Sequence, residues 1–249
     1  MTHPLARRLA AECLGSALLA ALVIGSGIAA QHLSRTDAGL ELLENAAATA
    51  AGLYAIILMF GPVSGGHFNP VVSLVDARFG GIAWGDALAY LPAQVGGCAL
   101  GAILANGMFA KAAISISTHH RASSAHLLGE VVATAGLILV IFALARTHRV
   151  AQAPAAVGAY IGAAYWFTSS TSFANPAISV GRMLSNTFAG IAPASVPGFV
   201  LAQAVGGALA VLTIRMLYPH VTPADAARVV VPADADESLE LATRRTTGS

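Results

Sequence analysis

The sequence predicts an all-α membrane protein with six transmembrane helices and two shorter re-entrant half-helices, arranged as an inverted repeat. Its composition is the first reason, because apolar residues make up 56% of the 249 residues and charged residues only 10%, whereas soluble domains carry about 25% charged residues. The mean hydropathy is +0.71. The second reason is a series of six long apolar stretches, and the third is a pair of Asn-Pro dipeptides at matching places in the two halves.

The apolar stretches predict the spanning helices, because a helix needs about 20 residues to cross ~30 Å of hydrocarbon. The first stretch shares features with a signal peptide, since Arg7 and Arg8 precede it and Gly27-Ile-Ala-Ala resembles a cleavage region. Its apolar part is too long for one and belongs to a repeat, so we expect a helix. The six stretches are 9–31, 40–60, 86–109, 126–145, 153–169 and 197–218.

The basic residues predict cytoplasmic N- and C-termini, because cytoplasmic loops carry an excess of Lys and Arg. With that orientation, only Arg35, Lys111 and Arg121 fall in outer loops. The inner ends, loops and tail hold Arg7, Arg8, Arg78, Arg146, Arg149, Arg215, Arg228, Arg244 and Arg245. We expect residues 1–220 to form a single membrane domain and 221–249 a polar, disordered cytoplasmic tail.

Several functional classes find little support in the sequence. The net charge of +1 argues against a nucleic-acid-binding surface. His119-His120 lies in a predicted loop without the further ligands that a metal site needs. Ser64 and His67 are close in sequence but have no accompanying acid or oxyanion arrangement. We therefore expect no metal, no cofactor and no enzymatic activity.

The two halves of the chain, about 5–109 and 124–218, repeat the same motifs in the same order. Three predicted spanning helices per half is an odd number, so the second half enters the bilayer upside down, and a functional site is expected near the midplane. The order is Glu12, Asn69-Pro70 and Gln94 in the first half and Glu130, Asn175-Pro176 and Gln203 in the second.

The Asn-Pro segments predict half-helices that enter the membrane without crossing it. Pro70 and Pro176 suit the first helical position, where no N–H is needed. Asn69 and Asn175 suit the N-cap, where the side-chain oxygen accepts from the first turn and the amide N–H groups stay available to the lumen. Non-helical backbone at this depth must be buried in protein or line a water-filled cavity. We therefore expect the two half-helices to meet in a pore.

These motifs resemble the major intrinsic protein (aquaporin) family over roughly residues 5–220. The boxes read Asn69-Pro70-Val71 and Asn175-Pro176-Ala177, and Val71 departs mildly from the usual Ala. The resemblance implies a right-handed helix bundle and a homotetramer in lipid, with one pore in each subunit. The sequence itself shows only that small residues allow close helix packing, at Gly97-x-x-x-Gly101 and Gly158-x-x-x-Gly162.

The intramembrane polar residues have two interpretations. An acid within a membrane helix is by default a candidate for proton or ion transfer. In the family, however, the acids equivalent to Glu12 and Glu130 hold the re-entrant loops by accepting backbone hydrogen bonds, and we favour that scaffold role. Gln94 and Gln203 receive the same interpretation. His67 either lines the pore beside Asn69 or only ties down the loop, and the sequence does not decide between them.

The resemblance also implies a selectivity filter at fixed offsets from the Asn-Pro boxes. Its four positions are Thr49, Ala163, Ser172 and Ile178. Most relatives have an aromatic residue at the first position and Arg at the last, and both are missing here. A filter Arg orients hydroxyl groups and repels cations, so its loss predicts an opening wider than a water-selective one.

The stretch 164–177 resembles a bacterial branch that lacks this Arg and is encoded beside arsenic-resistance genes. That resemblance implies a bacterial inner-membrane channel passing arsenite or methylated arsenicals, with water or glycerol as further solutes. An ordinary water or glycerol channel remains an alternative. A solute-coupled secondary transporter shares the inverted repeat and broken helices, and some relatives instead pack membranes together.

Arg182 follows Ile178 by four residues and therefore lies one turn further along the same helical face. One hypothesis is a relocated charge at the outer mouth that draws in anionic solutes. The alternative is an Arg that reaches the membrane interface with its charged end or packs against a neighbouring loop.

Overall fold

The computed structural model describes residues 3–219, and the predicted tail 221–249 lies outside the described residues. Eight α-helices and two single 3-10 turns account for the regular structure of this part, which contains no strand. The helices are α1 (Leu5–Leu33), α2 (Ala38–Ser64), α3 (Pro70–Phe79), α4 (Trp84–Met108), α5 (Ser124–Arg146), α6 (Ala153–Phe167), α7 (Pro176–Arg182) and α8 (Val196–Leu217). The all-α fold is confirmed.

Five of the helices are long and apolar enough to cross a membrane, namely α1, α2, α4, α5 and α8. The sixth predicted span is shorter than expected. Helix α6 has 15 residues, about 22 Å at 1.5 Å per residue, and a 3-10 turn at Val150–Gln152 precedes it. Thr168 ends α6 directly before the second re-entrant loop.

Large apolar side chains face outward along the long helices, as the bilayer requires. A soluble protein exposes few contiguous apolar patches of such extent, so this belt is the lipid-facing surface of an integral membrane protein. Its members include Leu14, Leu18, Leu58, Met59, Leu100, Leu104, Leu128, Leu201, Leu209 and Leu212.

Two equivalent helix pairs form the frame of the molecule. Helix α1 packs on α4, and α5 packs on α8. A Cβ added to Gly97 would overlap the carbonyl oxygen of Cys13, and one added to Gly206 would lie 2.5 Å from that of Val131. Gly97 follows Gln94 by three residues, and Gly206 follows Gln203 by three residues. The same contact through a small residue therefore recurs in both halves.

The two half-helices fill the space between these pairs. Helix α3 has 10 residues and α7 has 7, so neither can span. Helix α3 contacts α4 and α8, α7 contacts α8 and α4, and the two half-helices touch each other. Each begins at an Asn-Pro pair. Their N-termini therefore face one another in the interior.

Candidate pore

Asn69 and Asn175 cap the half-helices and also join them. Asn69 Oδ1 accepts from Val71 N at 3.0 Å, and Asn175 Oδ1 accepts from Ala177 N at 2.9 Å. Each amide then donates across the interface: Asn69 Nδ2 to the carbonyl of Ala174, and Asn175 Nδ2 to that of Phe68, both at 2.7 Å. An amide nitrogen carries two N–H groups, so one on each Asn remains for the cavity.

The residues before the two Asn caps adopt a conformation that L-residues disfavour. Phe68 has φ 50° and Ala174 φ 48°, in the left-handed region. Both backbone groups of each residue are bound: the N–H by a glutamate and the carbonyl by the opposite Asn. A left-handed backbone conformation costs a non-glycine residue about 1–3 kcal/mol, so it persists only where surrounding contacts hold the residue in place. The loop geometry is thus held from both sides.

Glu12 anchors the first loop. Its carboxylate is fully buried and accepts from Ser64 Oγ at 2.7 Å, His67 N at 3.0 Å and Phe68 N at 2.7 Å. Gln94 Nε2 donates to it at 2.8 Å. All four lone-pair directions of a carboxylate are then used.

Glu130 anchors the second loop in the equivalent way. Its two oxygens accept from Phe173 N and Ala174 N, each at 2.8 Å, and from Gln203 Nε2 at 2.6 Å. Gln203 also donates to Ser179 Oγ at 3.1 Å. Neither glutamate lines the cavity, which is the placement that a scaffold role requires.

A cavity of about 70 Å³ lies beside the two caps. The apolar side chains that line it, called here the apolar wall, come from helices of both halves. The polar lining residues include both Asn caps. The apolar wall consists of Leu19, Val23, Leu53, Ile57, Leu137, Ile141, Val157 and Ile161.

Three of the four predicted filter residues, Thr49, Ser172 and Ile178, line this cavity. The prediction for Ala163 is wrong: its side chain is exposed on the outer face of α6. Tyr165 lines the cavity instead, and its hydroxyl lies 3.2 Å from Thr49 Oγ1. A fixed offset from the second Asn assumes a fixed loop length. Val157, Ile161 and Tyr165 recur at intervals of four residues, and this helical spacing in the sequence indicates the face of α6 that lines the cavity.

Arg182 lies in the cavity wall rather than at the membrane interface. It is 2% exposed, so the alternative in which it reaches that interface is wrong. Its Nε donates to the carbonyl of Ala189 in a neighbouring loop, and its guanidinium carbon lies 3.4 Å from the centroid of the Phe173 ring. Sequence reasoning missed Phe173, for which a single aromatic residue before Asn175 gave no distinctive signal.

His67 meets both of its sequence alternatives. It lines the cavity and it also ties the loop to α3, because Nδ1 lies 3.0 Å from Ser73 Oγ and Nε2 lies 3.4 Å from Asp76. Asp76 is 2% exposed and was not identified from the sequence. Among residues 3–219, no group of three or more His, Cys, Asp and Glu side chains is placed to hold a metal ion.

Together, the fold and the site define a helical membrane channel with two re-entrant half-helices joined at their caps. The comparisons then give the family: the profile of the Major intrinsic protein family matches residues 1–172, and this chain belongs to that family.

Individual relatives agree with this assignment. The chain is 47% identical over 219 residues to the aquaglyceroporin AqpS of Rhizobium meliloti, covering 88% of this chain and 93% of the relative. It is 31% identical over 195 residues to aquaporin TIP1-2 of Zea mays, covering 73% and 76%. The solved structure of the aquaglyceroporin from Plasmodium falciparum superposes with a TM-score of 0.67 at 18% identity, covering 87% and 98%. That last likeness is one of fold.

Proposed function

We propose that this protein is a passive channel for water and for small uncharged or weakly charged solutes of glycerol size and larger. The main support for this proposal is the cavity beside the two Asn caps. Ile178 lines this cavity at the filter position where most relatives have Arg. The similarity to a protein named as an aquaglyceroporin supports this assignment.

The cavity suits a solute with hydroxyl groups on one side and an apolar surface on the other. The free N–H groups of Asn69 and Asn175 donate to solute oxygens, and the hydroxyls of Thr49, Tyr165 and Ser172 exchange for water hydrogen bonds. The apolar wall of the same cavity accepts the carbon skeleton. Each hydrogen bond that the solute loses to water is therefore replaced by one to the cavity lining. No strong binding site is formed, and rapid passage requires such weak binding.

Stopped-flow swelling of liposomes containing the purified chain tests this function. A channel gives fast, non-saturating flux of water and glycerol with no ion gradient, whereas a secondary transporter requires a gradient or an exchanging solute. Dependence of the flux on Na⁺ or H⁺ would contradict the proposal, as would flux no greater than that of protein-free liposomes.

The width of the filter is tested by Ile178→Arg. Ile178 lines the cavity and is 4% exposed. A guanidinium at this position fills space and adds donors, so we expect glycerol flux to fall about tenfold or more while water flux changes by less than about threefold. Ile178→Leu, which keeps volume and apolarity, is the matched control. Undiminished glycerol flux in the Arg variant would show that this is not the constriction.

Arsenicals are the finer proposal, and it comes from the resemblance of 164–177 to the Arg-less branch. Arsenite is a neutral trihydroxy compound at neutral pH and methylated arsenicals add an apolar surface, so both match the two-sided cavity. Uptake of arsenite and of a methylated arsenical by cells producing the chain, compared with the Ile178→Arg variant, tests it. Equal uptake by cells with and without the channel would show that arsenicals do not pass through it.

We further propose that the protein is a homotetramer of a bacterial inner membrane with its termini in the cytoplasm. The basic residues support the orientation: Arg8 pairs with Asp86 at 2.7 Å, and Arg146 lies 4.6 Å from the ring of Phe79, so these bases gather at one end. Mass measurement in detergent tests the tetramer, and protease access to a tag on the C-terminus tests the orientation.

A further inference from the structure

The guanidinium of Arg182 lacks a counter-charge in the cavity wall. Among the residues that the structure describes, its only hydrogen bond is from Nε to Ala189, and no carboxylate forms an ion pair with it. Within residues 3–219, its terminal nitrogens, Nη1 and Nη2, have no hydrogen-bond partner, and the side chain is 2% exposed and lines the cavity. A buried charge is costly unless something pairs with it.

The guanidinium is also held in a fixed position. It stacks on Phe173 at 3.4 Å. Arg121 lies 5.5 Å from the same ring and donates to two carbonyls, those of Phe188 and Gly190, in the loop that carries Ala189. This second cation secures the loop and adds to the positive potential at this end of the cavity.

Hydroxyl groups complete the same region. Ser172 Oγ is buried, lines the cavity and has no hydrogen-bond partner within residues 3–219. The Thr49 and Tyr165 hydroxyls pair with each other at 3.2 Å and also line the cavity. A set of donors of this kind, with no acid among the lining residues of the cavity, is the chemistry that receives an oxyanion.

The repeat shows that this lack of a partner is particular to one half. Arg182 stands seven residues after Asn175, and Asp76 stands seven residues after Asn69. Asp76 faces His67 Nε2 at 3.4 Å, whereas Arg182 faces Phe173, the equivalent of His67. The first half supplies a partner for its charge, and the second half leaves its charge to the cavity.

We infer that Arg182, with the hydroxyls of Ser172, Thr49 and Tyr165, forms a docking subsite for the singly charged oxyanion group of a small organic acid. The inference rests on the proposed function, because the cavity is taken as the solute path. The planar guanidinium fork matches two oxygens of one anionic group, and the apolar residues that line the same cavity receive the organic part. One cation without a partner balances a single negative charge.

Methanesulfonate and methanesulfonamide test this subsite, because they share a tetrahedral shape and differ in charge. Uptake of both probes is measured in liposomes containing the full chain, together with the inhibition of water flux by each probe. The variants are Arg182→Ala, Arg182→Lys and, as the matched control, Arg35→Ala, which removes an exposed Arg of a loop.

We expect Arg182→Ala to lower the ratio of methanesulfonate uptake to methanesulfonamide uptake about tenfold and to remove the saturable inhibition of water flux by methanesulfonate. Arg35→Ala should match the unaltered protein. Arg182→Lys, which keeps the charge without the fork, should weaken the inhibition without abolishing it, and it decides the matter if the Ala variant does not fold.

Equal losses for the two probes in Arg182→Ala overturn the subsite, and so does methanesulfonate uptake that survives intact. Unaltered inhibition in Arg182→Lys also overturns the role of the fork. Failure of the proposed function is distinguishable, because the unaltered protein would then pass neither water nor methanesulfonamide.

Discussion

At the scale of single residues, two glutamates, Glu12 and Glu130, bind the re-entrant loops without lining the cavity. Glu130 satisfies the N–H groups of Phe173 and Ala174, where the backbone turns into the left-handed region. Both residues are buried, so a lost acceptor would leave their N–H groups without a hydrogen bond. We therefore propose that the carboxylate holds the loop in place.

Glu130→Gln should destabilise the protein by about 2–4 kcal/mol, because it removes charge-assisted hydrogen bonds and turns an N–H donor toward buried donors. Thermal unfolding in detergent and water flux in liposomes measure the effect. Glu44→Gln is the control, since Glu44 accepts one bond, from Ser34 Oγ at 2.8 Å. A Glu130→Gln protein with unchanged unfolding and flux would show that the loop is held by other contacts.

The sequence predicted residues that recur in both halves better than those that occur once. Asn69 and Asn175 lie at the helix starts where the capping argument placed them. Asp76 and Phe173 escaped notice because their importance depends on a partner that only the folded loop brings near. Ala163 was misplaced because counting along the chain ignores where α6 ends.

At the scale of elements, the half-helices keep their positions because α1 and α4, and likewise α5 and α8, approach closely. Gly97 and Gly206 mark the two contacts, where helix backbones meet without intervening side chains. Helices in lipid gain no hydrophobic free energy by associating. Close van der Waals packing therefore supplies much of the free energy of their association. The Gly97-x-x-x-Gly101 spacing indicated close packing at Gly97, but no such spacing marks Gly206, and the sequence did not indicate which helix each glycine faces.

Gly97→Ala should destabilise the protein by about 1–3 kcal/mol, because the new methyl group overlaps the backbone of Cys13 and pushes α1 from α4. The neighbouring Gly96→Ala is the matched control. Nothing lies within 4 Å of a Cβ at Gly96, so it should be neutral or stabilising by up to about 1 kcal/mol. Unfolding temperatures of both variants check this, and equal shifts would contradict the packing argument.

At the scale of the whole molecule, the proposed filter has Ile178 in place of Arg, so any barrier to cations must come from other charges. The chain carries a net charge of +1, yet it concentrates two cations, Arg121 and Arg182, around one ring beside the solute path. A cation entering the cavity meets this potential in a poorly screened environment.

Arg182→Ala should therefore raise the proton leak of channel-containing liposomes by about tenfold, as expected for removing a nearby like charge at an intermediate dielectric. The decay of a pH gradient, followed with an entrapped dye, measures it. Arg35→Ala should leave the leak unchanged. If both variants leak alike, proton exclusion arises at the Asn caps alone.

The sign reversal between Asp76 and Arg182 has an electrical consequence. Two halves built on one plan would give a neutral solute the same path from either direction. A charged solute meets an asymmetric field, because Arg182 lies against Phe173 in one half while Asp76 lies 3.4 Å from His67 in the other. We therefore expect the current carried by a small anion to differ between the two directions of an applied voltage, whereas the flux of uncharged solutes does not depend on the voltage.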